Sequence, residues 1–272
     1  MDVKVLGPLC IEEQGSSIVP SASKPRQVLA LLALRADRVV TVPTLVEELW
    51  GVEAPRSAAT TLQTYVLQLR RLIGAALAGE PGRVAKDVLV TRHGGYLLEV
   101  QPGRIDADEF TQLATAGRQA HEAGDDHAAS DLLNRALDLW RGPALLDVRA
   151  GRVLELDVLG LEEGRMGALE RRIEADLRLG RHSTLIGELR VLAARYPMHE
   201  NLCMQLMLAF YRCGSAWRAL EAFHALRNTL NRELGLEPSG RVHRLQQAIL
   251  RSDPALDIDS PRRDASFDRF VA

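Results

Sequence analysis

Cysteine is nearly absent from this chain: Cys10, Cys203 and Cys213 are the three it has, far apart and odd in number. That leaves no CxxC pair and no framework of crosslinks, and suits a reducing compartment. Long apolar runs are missing too. "VLALLAL" (Val28 to Leu34) falls far below the roughly 18 residues needed to cross a bilayer, so no membrane association is expected. The first residues, "MDVKVLGPL", lack the basic start and apolar core of a signal peptide, and the expected location is the cytoplasm. Enzyme signatures are also wanting. There is no phosphate-binding G-x-x-x-x-G-K-[ST], no nucleophile elbow, no dinucleotide fingerprint and no Cys/His cluster. His121-Glu122 begins like a zinc helix, but Asp125 stands where the second histidine would be needed. No catalytic residue, metal site or cofactor is expected.

The most informative absence is local. No carboxylate occurs between Glu53 and Glu80, a span of 26 positions that would hold about three at the chain's own frequency of 36 Asp+Glu in 272 residues. The net charge of −2 and pI of about 6.4 argue against coating a polyanion by bulk charge. A local basic face is a different matter. The balance from Asp106 onward is 22 Lys+Arg against 26 Asp+Glu, and before it 12 against 10, so where charge lies matters more than its sum.

What is present reads as two regions, with a boundary in "QPGRI". Residues 1–102 mix short strands with helices. "VKVLG", "LCIEE" and "SSIVP" are strand-like, with Gly15 at a turn. A helix runs from Lys24, with Pro25 in its first turn, and "VVTV" is an extended link. Pro43 opens a second helix that Gly51 closes, and Ser57 is placed to cap a third, Ser57 to Ala76. After a loop from Gly79 to Lys86, "VLVTRHGGYLLEV" has two β-prone runs around paired glycines, a hairpin signal.

Residues 103–251 are helical. Gly124, Gly180 and Gly214 each end a helix, and Gly180 and Gly214 are 34 residues apart, the length of a tetratricopeptide repeat. Ala129, Leu185 and Ala219 follow five residues after these glycines, Leu133, Leu189 and Phe223 nine after, and Pro197 ends a repeat helix. "LWRGPALLDVRAGRV" interrupts the register as an insertion. Tyr211 and Trp217 are placed in a repeat groove, Trp50 and Trp140 as packing anchors. Residues 252–272 are polar and aperiodic and read as a disordered tail. The fold class is therefore mainly α with a small β part: an N-terminal winged helix-turn-helix followed by an all-α, tetratricopeptide-like domain.

At 100° per residue, Ala58, Leu62, Tyr65, Val66, Leu69, Leu72, Ile73 and Ala76 fall on one face of the third helix. Arg56, Thr60, Gln63, Thr64, Leu67 and Arg71 lie opposite, with Gln68 and Arg70 on the flanks. Amides, hydroxyls and guanidinium groups without carboxylates are what donate to phosphates and read base edges. Leu67 is suited to a thymine methyl or a sugar. Arg92 and His93 at the hairpin tip are placed for a minor groove or backbone. These ten residues form the expected DNA-binding set.

The order of three strands, three helices and a hairpin resembles the DNA-binding domain of OmpR/PhoB-type response regulators, with "LRRLIG" (Leu69–Gly74) ending the recognition helix and "VTRHGGYLL" (Val90–Leu98) as the wing. The receiver of those regulators is lacking. Together with "LWG" (Leu49–Gly51), "TTLQTY" (Thr60–Tyr65), "LWRGPAL" (Leu139–Leu145) and "ELGLEPS" (Glu233–Ser239), the chain over about residues 1–251 resembles the Streptomyces antibiotic regulatory protein family, in its short form without an ATPase domain. The resemblance implies a pathway-specific activator of antibiotic or secondary-metabolite genes with a bacterial transcriptional activation domain. It implies binding to tandem direct repeats near a −35 region and recruitment of RNA polymerase holoenzyme through its sigma factor or other subunits. One-turn spacing would seat protomers side by side as a dimer on double-stranded DNA. A repressor using the same contacts, or a protein-interaction scaffold, are the alternatives; steep salt dependence separates the scaffold from a DNA binder.

Overall fold

The computed structural model describes residues 1–79 and 82–257. It divides into two compact units, Met1–Thr115 with Asn134–Gly167, and Ala116–Leu133 with the residues from Ala168 onward.

In the first unit, β1 (Asp2–Lys4), β2 (Cys10–Glu13) and β3 (Ser16–Ser17) form an antiparallel meander in that order. Gln14 and Gly15, at φ 52° and 76°, make the two-residue β2–β3 turn with both residues left-handed, the geometry whose twist matches the strands it joins. Helix α1 (Ser23–Leu34) carries Pro25 in its first turn and buries Val28 through Ala33 completely, so it forms the core of this unit. β4 (Val40–Thr41) leads into α2 (Val42–Trp50), where the Thr41 hydroxyl accepts the Thr44 N–H at 3.3 Å. Gly51 ends α2 at φ 60°.

Helix α3 (Ala58–Ala76) follows. Ser57 stands at its N-cap position without capping it through the side chain: its backbone (φ −86°, ψ 5°) is already nearly helical rather than extended, so the hydroxyl is not carried over the first amides. The loop expected up to Lys86 holds a short helix, α4 (Ala85–Val88), started by Asp87, whose carboxylate accepts the Val84 N–H at 3.0 Å. β5 (Leu89–Arg92) and β6 (Gly95–Leu98) are the hairpin, and β4 pairs with β6 to give the order β4-β6-β5. A Cβ on Gly95 would collide with the Val40 carbonyl, so glycine is what lets β4 lie this close.

The inserted segment belongs to this first unit. Trp140 meets Phe110 edge-on (centroids 5.4 Å apart), and the Arg165 guanidinium lies 4.6 Å from its ring centre. The Arg141 and Leu145 amides donate to the Leu6 and Val5 carbonyls. Asp106, at the start of α5 (Asp106–Glu122), accepts the Val5 and Leu6 amides at 2.8 and 3.1 Å. Burial pushes its carboxyl above the usual range, against the pull of those donors. Glu48 of α2, 3% exposed, accepts Gln27 Nε2 at 2.7 Å, the Gly151 N–H at 2.6 Å and the Leu154 N–H at 2.9 Å, which caps the N-terminus of α7 (Arg152–Arg178).

The second unit holds parts of α5, α6 (Asp126–Asp138) and α7, with α8 (His182–Arg195), α9 (Glu200–Arg212), α10 (Ala216–Leu234) and α11 (Gly240–Leu250). Gly124, Gly180 and Gly214, at φ 77°, 82° and 75°, end their helices in one pattern. The glycine N–H bonds three residues back (to His121, Leu177 and Tyr211), and the next N–H bonds five back (to Ala120, Asp176 and Phe210). After them, Ala129, Leu133, Leu185, Leu189, Ala219 and Phe223 are all at most 3% exposed, so the periodic positions are the core of the unit. Helix α9 is buried without a break from Leu202 to Phe210.

Trp217 is 68% exposed, and a pocket of about 270 Å³ lies elsewhere, among Tyr196, Pro197, Cys203, Leu206, Ala222 and Leu226, without Tyr211 or Trp217. The expected loss of structure from Ser252 does not hold over its first six residues. Pro254–Leu256 form a 3-10 turn, Leu256 is buried, and its carbonyl accepts Arg212 Nε at 2.7 Å. Residues 258–272 of the expected tail lie outside the described residues.

Candidate nucleic-acid interface

Helix α3 divides as its sequence period requires. Ala58, Leu62, Val66, Leu69 and Ile73 are buried, while Tyr65 and Leu72 are half-buried. Arg56, Thr60, Gln63, Thr64, Leu67, Gln68 and Arg71 are all exposed. Leu67, at 51% exposure, is an apolar side chain held in the middle of this polar surface. The Thr64 hydroxyl donates to the Thr60 carbonyl at 3.2 Å, which orients its methyl and leaves its oxygen as an acceptor.

The hairpin ends in His93–Gly94, with Gly94 at φ 78°. Arg92 and His93 are both exposed at that tip. The structure thus brings nine of the ten expected residues to the surface of one helix with the loop before it, and one hairpin tip.

Arg70 is the exception. It is half-buried, and its guanidinium is turned onto β5: Nε and Nη2 donate to the Leu89 carbonyl at 3.0 and 2.7 Å, and Nη2 donates to Thr91 Oγ1 at 2.8 Å. Its flank position on the helical wheel is shared by Gln68, which is exposed, so the wheel alone does not single Arg70 out.

The two cations that open α1 are committed inside the fold as well. Lys24 Nζ donates to the Leu49 carbonyl at 2.7 Å and lies 4.7 Å from the centre of the Trp50 ring, which stacks on Tyr65 with centroids 6.4 Å apart. Arg26 donates to the Pro20 carbonyl and pairs with Asp147. Protein groups thus offset the charge that these two cations bring to the start of α1. Neither the Lys24–Trp50–Tyr65 stack nor the part of Glu48 follows from a local sequence pattern.

Among the described residues, no group of three or more His, Cys, Asp or Glu is arranged to hold a metal ion, and no helix is long and apolar enough to cross a membrane.

A helix-turn-helix with a wing, exposing an acid-free third helix, defines a winged-helix transcriptional regulator. Comparison with known proteins supports that class. Residues 16–98 match the family described as transcriptional regulatory protein, C terminal, and residues 105–250 the bacterial transcriptional activator domain. The chain is 53% identical over 266 residues to the regulatory protein DnrI of Streptomyces peucetius, covering 98% of each. It is 36% identical to the transcriptional regulator RedD of Streptomyces coelicolor, over 96% of this chain and 73% of that one. A solved structure of Mycobacterium tuberculosis EmbR in complex with a low affinity phosphopeptide is similar at TM-score 0.86 and 32% identity, over 99% of this chain and 69% of that one. The chain belongs to the Streptomyces antibiotic regulatory protein family of DNA-binding transcriptional activators.

Proposed function

We propose that the protein, acting in the cytoplasm, activates transcription of an antibiotic or secondary-metabolite gene cluster by binding tandem direct repeats near a −35 region and recruiting RNA polymerase holoenzyme. The observation that carries this reading is the exposed face of α3, where Thr60, Gln63, Thr64, Leu67, Gln68 and Arg71 stand together without a carboxylate. Gln63 and the threonines offer the amide and hydroxyl groups that read base edges, and Leu67 suits a thymine methyl. Arg56 and Arg71 supply phosphate contacts, and Arg92 with His93 reaches the adjacent backbone or minor groove. Repeats spaced by one turn seat protomers side by side on one DNA face, and the helical region of residues 103–251 meets the polymerase.

Fluorescence anisotropy on three duplexes tests this: a tandem repeat at one-turn spacing, the same repeat with five base pairs inserted, and a scrambled sequence, each at several salt concentrations. The expected result is tight, salt-steep binding to the first that drops with the half-turn insertion. Arg71→Ala weakens binding to every sequence and reduces the salt slope by about one phosphate contact, whereas Gln63→Ala or Thr64→Ala changes preference at particular bases. Equal losses on specific and random DNA for all three variants would overturn the base-reading assignment. Weak binding indifferent to sequence, spacing and salt would overturn DNA recognition by this face.

A further inference from the structure

Arg70 and Arg71 are adjacent on the recognition helix, yet their side chains are in different situations: Arg71 is exposed, whereas Arg70 is half-buried and bonded to β5. In the order β4-β6-β5, β5 is the edge strand, so its outward backbone acceptors have no strand neighbour. The guanidinium takes one of these, the Leu89 carbonyl, with two donors and reaches Thr91 Oγ1 with the second of them. A planar fork can hold two acceptors at fixed angles, which a lysine ammonium cannot. Thr91 immediately precedes Arg92, so the bonds fix the strand that carries the hairpin tip against the helix that carries Gln63 and Thr64.

We propose that Arg70 is a positioning residue that sets the wing against the recognition helix, so that Arg92 reaches DNA when α3 is seated, and that it makes no DNA contact of its own. The inference rests on the DNA-binding reading of α3 and the wing. Its consequence is energetic coupling. If Arg70 acts only through the wing, removing it costs nothing once the wing contact is already gone. A direct phosphate contact by Arg70 would instead add its own loss of affinity and its own increment of salt slope, independent of Arg92.

The test is a double-mutant cycle on the full chain, run in a His93→Ala background so that Arg92 is the remaining expected wing contact: Arg70→Ala, Arg92→Ala and the pair, with anisotropy on the repeat duplex across a salt series. Thr91→Val serves as a second, near-isosteric variant that removes one acceptor and leaves Arg70 in place, and thermal unfolding checks that each variant folds. Arg92→Ala is expected to lower the salt slope by about one unit, Arg70→Ala by no more, and the double variant to match Arg92→Ala in both affinity and slope. Thr91→Val should weaken binding in the parent and have no effect beside Arg92→Ala. Additive losses, with the slope falling by about two units in the double variant, would make Arg70 a direct contact and overturn the proposal while leaving DNA recognition intact. Parent chain that binds without salt dependence would overturn both.

Discussion

Replacing Glu48 with alanine removes one carboxylate on which three donors converge, two of them buried and one part-buried: the Gln27 amide, the Leu154 N–H and the Gly151 N–H. Each donor left unsatisfied costs about 1–3 kcal/mol, and because the costs overlap and water can relieve part of them, a total of about 3–5 kcal/mol is expected. The lost negative charge at the N-terminus of α7 acts in the same direction. For a unit of about 150 residues this is a fall in Tm of roughly 6–20 °C. Glu48→Gln is more conservative. Its carbonyl can stay at the position that serves Gln27 and Gly151, so that its amino group faces only the Leu154 N–H, and the expected loss is about 1–3 kcal/mol.

Tryptophan emission during urea unfolding reads this unit directly. Trp50 and Trp140 both lie in it, and Trp217 is exposed in α10 of the other unit, so a Trp217→Phe background isolates the signal. A loss below about 1 kcal/mol for Glu48→Ala, or equal losses for the two substitutions, would refute the reasoning that the carboxylate is the common acceptor.

Two further outcomes follow from the geometry. Gly95→Ala places a methyl against the Val40 carbonyl, so β4 and β6 must separate; a cost of about 1–3 kcal/mol in the same emission assay, with weaker DNA binding, is expected, and wild-type stability would refute the steric account. His182 is buried beside Arg212, first by desolvation and then by that charge, and its pKa is held down to about 4 from 6.5. The unfolded chain then binds the proton that the folded chain refuses, so stability is retained above pH 6.5 and falls as pH drops from there towards about 4. His182→Leu should flatten that part of the pH profile, as read by circular dichroism melts, and an unchanged profile would contradict the assignment.

The repeat glycines and the faces of α3 were legible in the sequence because both express a local rule. A left-handed residue that ends a helix favours glycine, and a helix half in the core repeats its apolar residues every 3.6 positions. The hairpin was equally local, since Gly94 and Gly95 lie in adjacent positions between two β-prone runs. Ser57 failed as a cap because the rule needs an extended backbone that the preceding turn does not provide.

Sequence by itself thus determined the order of the elements apart from α4 and the turn at Pro254–Leu256, the acid-free face from Arg56 to Arg71 and the fold class, all of which depend on neighbours within a few residues. Only the tertiary structure decided that the inserted segment packs in one unit with the winged helix, through Glu48 on Gly151, that Asp106 accepts the Val5 amide, and that Arg70 is bonded to β5 while Arg71 stands exposed. These pairings join residues 101, 103 and 19 positions apart, and no periodicity encodes which donor a distant carboxylate will find or which acceptor a guanidinium will.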